Sequence, residues 1–138
     1  MARLVFLDTN PIIYFLGNIS PFAIKVRQFI LNAKVSNVKL CTSTITDAEF
    51  IVKPLSEQQF DKISLYNRFL DSLSVYKRSI DERVATRSAE IRAKYKGIKL
   101  ADALQLAAAI ETGCDTFLTN DKQLKQVSEI NVVLLEDL

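Results

Sequence analysis

Five short apolar runs, set apart by segments with helical spacing, constrain this chain more than any other feature. They fall at 3–7, 38–43, 73–77, 115–119 and 131–135. Each is of strand length and too short for a packed helix. Between them, "PFAIKVRQFILNAK" (21–34) and "LADALQLAAAIETG" (100–113) carry apolar residues at helical spacing. Strands alternating with helices predict an α/β domain built on a parallel sheet covered on both faces. The turn chemistry agrees. Pro11 fits the first turn of a helix capped by Thr9 or Asn10. Pro54 is expected to end the helix that begins at "TITDAEFIV" (44–52), and Ser56 to open the next. Asp81 is expected to start a polar helix running to Lys96 and closed by Gly97. "NDKQLKQV" (120–127) reads as a short helix. There is no repeat or linker, so 1–138 is expected to be a single domain.

Composition then removes whole classes of chemistry. The chain has no histidine. That excludes Ser-His-Asp and Cys-His catalysis and nearly all zinc hydrolase sites. Three unclustered glycines exclude a phosphate-binding loop and a dinucleotide fingerprint. Cys41 and Cys114 have no metal-site spacing and are expected to be reduced and buried. No apolar run reaches the length of a membrane span, and the N-terminus lacks signal-peptide character, so no membrane association and a cytoplasmic location are expected. What remains for catalysis is carboxylates and hydroxyls with a hard cation, Mg2+ or Mn2+.

Two of the apolar runs end in dense polar groups. "LVFLDTN" (4–10) ends at Asp8, Thr9 and Asn10; "FLTND" (117–121) ends at Thr119, Asn120 and Asp121. Open α/β sheets bind ligands beyond the carboxyl ends of their strands. Asp8 and Asp121 fall there, Glu49 on the helix after the second strand, and Asp102 in the first turn of the Ala-rich helix before the fourth. Carboxylates gathered at one edge repel one another unless a divalent cation neutralises them. Taken singly, each has an ordinary alternative. Asp8 and Asp121 suit helix caps, Asp102 complements a helix dipole, and Glu49 can pair with Lys53 one turn on. Asp47 and Asp115 fall in no motif and are expected to be solvated.

"FLDTN", "DAEF", "LADALQLAAA" and "FLTND" together resemble the PIN domain, especially the small VapC-type ribonuclease toxins, over nearly the whole chain. The resemblance implies a PIN-like, Rossmann-like three-layer sandwich with a five-stranded parallel sheet in the order 3-2-1-4-5. It implies that Asp8, Glu49, Asp102 and Asp121 are the catalytic and metal-holding acids, with Asp8 and Asp121 the most direct ligands. Thr119 is implied as a supporting hydroxyl, and Asn10 and Asn120 as supporting polar residues. The implied activity is Mg2+- or Mn2+-dependent cleavage of single-stranded RNA. The implied partners are RNA, a cognate antitoxin and a second copy of the chain.

The net charge of +2 hides a basic stretch: residues 77–99 hold eight Lys or Arg and three Asp or Glu, a net +5. Arg83, Arg87 and Lys94 are candidate RNA-backbone contacts, with a solvated helix face as the alternative. Two other enzyme readings share the strand-end aspartate: a haloacid-dehalogenase-like phosphatase and an acid-pocket receiver domain. The phosphatase usually needs a second acid two residues after the nucleophile, where this chain has Asn10. A non-catalytic PIN-like interaction module is the third alternative.

Overall fold

The computed structural model describes residues 3–138. All five expected strands are present: β1 (Leu4–Leu7), β2 (Lys39–Ser43), β3 (Tyr76–Arg78), β4 (Thr116–Thr119) and β5 (Asn131–Leu134). They form one parallel sheet in the order β3-β2-β1-β4-β5. Six α-helices connect them: α1 (Thr9–Gly17), α2 (Phe22–Val35), α3 (Thr44–Ser56), α4 (Phe60–Ser72), α5 (Glu82–Lys94) and α6 (Leu100–Thr112). None of them is long and apolar enough to cross a membrane.

Strand alternation sends neighbouring side chains to opposite faces. Val5, Leu7, Leu40 and Leu118 point to one face and pack on Ile12, Val26, Ile30 and Tyr66 of α1, α2 and α4. Phe6, Cys41 and Phe117 point to the other and pack on Val84, Ile91 and Leu106 of α5 and α6. Phe6 and Phe117 stack at 5.3 Å between ring centroids, 6° from parallel, which locks β1 to β4. Both cysteines are free and buried.

Element ends differ from the sequence reading in instructive ways. α1 is capped by Asp8, not Thr9 or Asn10; its side chain accepts from the Thr9 amide at 2.9 Å. Pro54 lies inside α3 rather than ending it. Proline forfeits its own amide bond and crowds the carbonyl one turn back, and in the last turn the helix tolerates both, so α3 runs on to Ser56. Ser56 therefore finishes α3, and α4 starts at Phe60. Left-handed Ser74 displaces β3 three residues beyond its expected start. α5 stops at Lys94, where Tyr95 turns extended before Gly97 is reached. "NDKQLKQV" contains a 3-10 turn (Lys122–Gln126) capped by Asp121.

One consequence fixes the site. β1 pairs with β4 through Leu7 and Leu118, and the Asp8 amide extends the ladder to the Leu118 carbonyl at 3.0 Å. The two polar strand ends, far apart in sequence, therefore lie side by side where the strand order reverses.

Candidate functional site

Asp8 is the best-defined member of the site. It is 5% exposed, and both of its carboxylate oxygens are engaged. Oδ1 accepts from the Thr9 amide, and Oδ2 accepts from the Thr119 hydroxyl at 2.7 Å. The Thr119 hydroxyl in turn accepts from the Asp121 amide at 3.1 Å, tying the two strand ends together. Burial pushes the Asp8 carboxyl up from 3.8 to about 6, with the charges of Asp102 and Glu49 adding to the rise and the Thr119 and Thr9 hydrogen bonds opposing it.

Asp102, half-buried in the first turn of α6, is also raised. Burial is the largest cause, followed by the charges of Asp121 and Glu49; Lys99 opposes them. The four acids thus share one field, and Asp102 is linked by charge to the other three. Asp8 feels Asp102 and Glu49, whereas Asp121 acts on Asp102.

Glu49 is exposed on α3, and its Oε1 accepts from the Thr9 hydroxyl at 2.7 Å. No ion pair joins it to Lys53 among the described residues. Asp121 caps the 3-10 turn by accepting from the Gln123 amide at 3.0 Å. Capping and membership of the acidic group coexist in Asp8 and Asp121, because a carboxylate oxygen holding one hydrogen bond keeps a second lone pair. Asn120 donates to the Tyr14 hydroxyl at 3.1 Å, and Asn10 is exposed.

A buried polar network beneath the acids was not read from the sequence. It joins Thr9, Thr42, Ser43, Thr46 and Gln105, all buried. Gln105 looks like one more position of an apolar helix until the fold aims it at Ser43 of β2, Thr46 of α3 and Thr9 of α1. Its neighbourhood to Asp102, three residues earlier, was the one available signal.

The basic candidates lie elsewhere. Arg83 and Arg87 reach Glu111 at 3.9 and 3.5 Å, and Arg87 also meets Glu90 at 3.4 Å. Glu111 lies at the opposite end of α6 from Asp102, roughly 13 Å away at the helical rise. Lys94 pairs with Glu129 at 3.6 Å. Lys99, just before α6, is the cation whose charge Asp102 feels. Asp47 and Asp115 are not merely solvated. Asp47 accepts from the Tyr66 hydroxyl at 2.7 Å and meets Lys77 at 2.9 Å. Asp115 accepts from the Leu4 amide at 3.0 Å.

Among the described residues, no three Asp, Glu, Cys or His side chains converge closely enough to enclose a metal ion. The donor set still suits one kind of ion. Mg2+ keeps several waters and takes only one or two carboxylates, completing its shell with substrate phosphate. An all-oxygen group of mutually repelling acids, two of them with raised pKa, fits that demand.

The fold and the strand-end acids define a class, and the sequence comparison agrees: the chain belongs to the PIN domain family, whose model matches residues 5–130. No curated protein matches it by sequence. Solved structures do. VapBC2 from Rickettsia felis, bound to a promoter DNA fragment, matches at 19% identity with a TM-score of 0.76, over 96% of this chain and 98% of that one. DNA-bound VapBC from Salmonella typhimurium matches at 21% and 0.77, over 98% and 99%. FitAcB from Neisseria gonorrhoeae matches at 22% and 0.69, over 97% and 99%. At such identities the likeness speaks for the fold.

Proposed function

We propose that this PIN domain is a metal-dependent endoribonuclease, the toxin of a toxin–antitoxin pair, acting on single-stranded RNA in the cytoplasm. The observation that carries the reading is the side-by-side placement of the β1 and β4 ends, where the Thr119 hydroxyl joins the Asp8 carboxylate to the Asp121 amide and the Thr9 hydroxyl ties Glu49 to the same edge. The metal, Mg2+ or Mn2+, would be held most directly by Asp8 and Asp121, with Asp102 and Glu49 completing the site partly through water, and would supply an activated water and charge stabilisation at the phosphate. The chain's own residues do the rest. Thr119 and the Thr9 amide hold the Asp8 carboxylate in place. Lys99, whose charge Asp102 feels, would meet an incoming phosphate there. Arg83, Arg87 and Lys94 would track a longer RNA only by exchanging their acidic partners for phosphates.

Cleavage of a single-stranded RNA in Mn2+ is the test. Asp8→Asn should lower the rate by at least about 100-fold, beyond the loss typical of a supporting contact. Undiminished cleavage would remove Asp8 from the reaction, and a wild-type chain that cleaves no RNA would leave the non-catalytic module. In a filter-binding titration, Lys99→Gln should weaken RNA binding and flatten its salt slope by about 1, more than Arg87→Gln does. Equal effects would remove Lys99 from the substrate path.

The partner reading is supported by one further neighbour, a toxin–antitoxin complex from Klebsiella pneumoniae. Val52, Leu55 and Phe60, all exposed at the junction of α3 and α4, are apolar surface suited to a protein partner. A homodimer and a cognate antitoxin are proposed. Light scattering that shows only monomer at high concentration would remove the dimer.

A further inference from the structure

Proton bookkeeping in the buried network gives it a single direction. The Thr42 hydroxyl donates to the Leu7 carbonyl at 2.9 Å, so it must accept from Thr46 at 2.8 Å. The Thr9 hydroxyl donates to Glu49. The protons of Thr9 and Thr46 are therefore both committed, and their own 3.1 Å contact carries none. Whatever faces these two oxygens from α6 has to be a donor. That is the Gln105 amide nitrogen, at 2.8 Å from Thr46 and 3.2 Å from Thr9, with Asp8 Oδ1 at 3.4 Å. Its carbonyl oxygen accepts from the Ser43 hydroxyl, which itself accepts from the Ile45 amide at 3.1 Å. The amide orientation follows from the network, since the reverse would aim a carbonyl at two oxygens with no proton to give.

We infer that Gln105 is a positioning residue of the proposed site. It occupies the acceptor side of Thr9 and so commits the Thr9 proton to Glu49, holding the Glu49 carboxylate at the Thr9 hydroxyl although Gln105 makes no hydrogen bond to Glu49 itself. At 1% exposure, a glutamine here is costly unless every polar atom is satisfied, and every one is. A leucine would fill the same space and leave the Thr9 proton free to turn toward Thr46. The metal-binding consequence rests on the nuclease reading, but the coupling between Gln105 and Glu49 does not.

Two measurements separate them. The first is a double-mutant cycle of melting temperatures in chelator, with Gln105→Met and Glu49→Ala. If Gln105 acts through Thr9, the combined loss should fall short of the sum of the single losses by roughly 3 °C. The shortfall should vanish in a Thr9→Val background. Should Gln105→Met fail to fold, Gln105→Asn, which withdraws the amide by one methylene, takes its place. Additive losses would overturn the inference and leave Gln105 as core filling. The second is Mn2+ affinity by calorimetry. Gln105→Met and Thr9→Val should each weaken it about tenfold, and Thr9→Ser should restore it. Wild-type affinity in both variants would refute positioning toward the metal. A wild-type chain that binds no Mn2+ would sink the proposed function, while the cycle would still decide whether Gln105 positions Glu49.

Discussion

At the residue scale, Asp8 holds two roles that conflict without a cation. It caps α1 and accepts from Thr119, both of which favour the carboxylate, yet burial and two neighbouring acids favour the neutral acid more strongly. Its folded pKa of about 6 lies above the ordinary 3.8. Between those values the folded state holds a proton that the unfolded chain has released, so stability falls as pH rises through the window. The full cost, on the order of 3 kcal/mol, is reached at neutral pH. Asp8→Asn removes the titration and keeps the cap, because Asn caps about as well as Asp. In chelator, the mutant should gain on wild type as pH rises from 4 to 7, as read by urea melts at several pH values. A constant difference across that range would mean the site does not hold Asp8 near 6. Asp81, Asp115 and Glu129 shift the other way, but they are mostly exposed and cancel in the comparison. The sequence exposed this carboxylate because an aspartate directly after an apolar run must either cap or bind. It could not expose Gln105, whose role depends on which face of an Ala-rich helix meets β2 and α3.

At the element scale, α3 must hold Glu49 over the strand ends, and the sequence hides how it is anchored. Ser43 caps the helix through the Ile45 amide, and Asp47 fastens its first turn to two other elements. Tyr66, fully buried on α4 and stacked on Phe50 at 4.5 Å, donates to Asp47; Lys77 on β3 pairs with the other oxygen. An acid outside every motif reads as solvated until the fold supplies a tyrosine and a lysine from 19 and 30 residues away. Asp47→Ala should therefore cost about 1–3 kcal/mol, because it strands a buried hydroxyl. Tyr66→Phe should cost less, since Asp47 keeps Lys77. Chelator melts of the two variants check the order, and an Asp47→Ala protein as stable as wild type would show the contact to be slack. β1, β2 and β4 were legible, because both faces are buried and the runs are nearly all apolar; β3, a largely exposed edge strand over Tyr76–Arg78, begins only at the end of the apolar run that pointed to it. The helix ends were less so. Pro54 and Ser56 follow local rules, but the buried packing of Pro54 overrides them.

At the scale of the whole molecule, the acidic group sets stability against function. The sheet order brings β1 beside β4, and the helices after β2 and before β4 add Glu49 and Asp102. The fold thus assembles charges that repel when no cation is present. Only the folded chain gathers them, so a cation that binds there stabilises the fold by mass action. At a concentration 100 times its dissociation constant, Mn2+ should add about 2.7 kcal/mol. For a chain of this size that is a rise of several degrees in melting temperature. Asp8→Asn and Asp121→Asn keep their caps, so in chelator they should melt no lower than wild type. They should gain far less from Mn2+, because each removes one of the charges that attract it. Paired melts with chelator and with Mn2+ check both halves. If the acids served only as caps, wild type and mutants would respond to Mn2+ alike. Equal responses, beside undiminished RNA cleavage by the mutants, would mean that the fold gathers these four carboxylates for no cation at all.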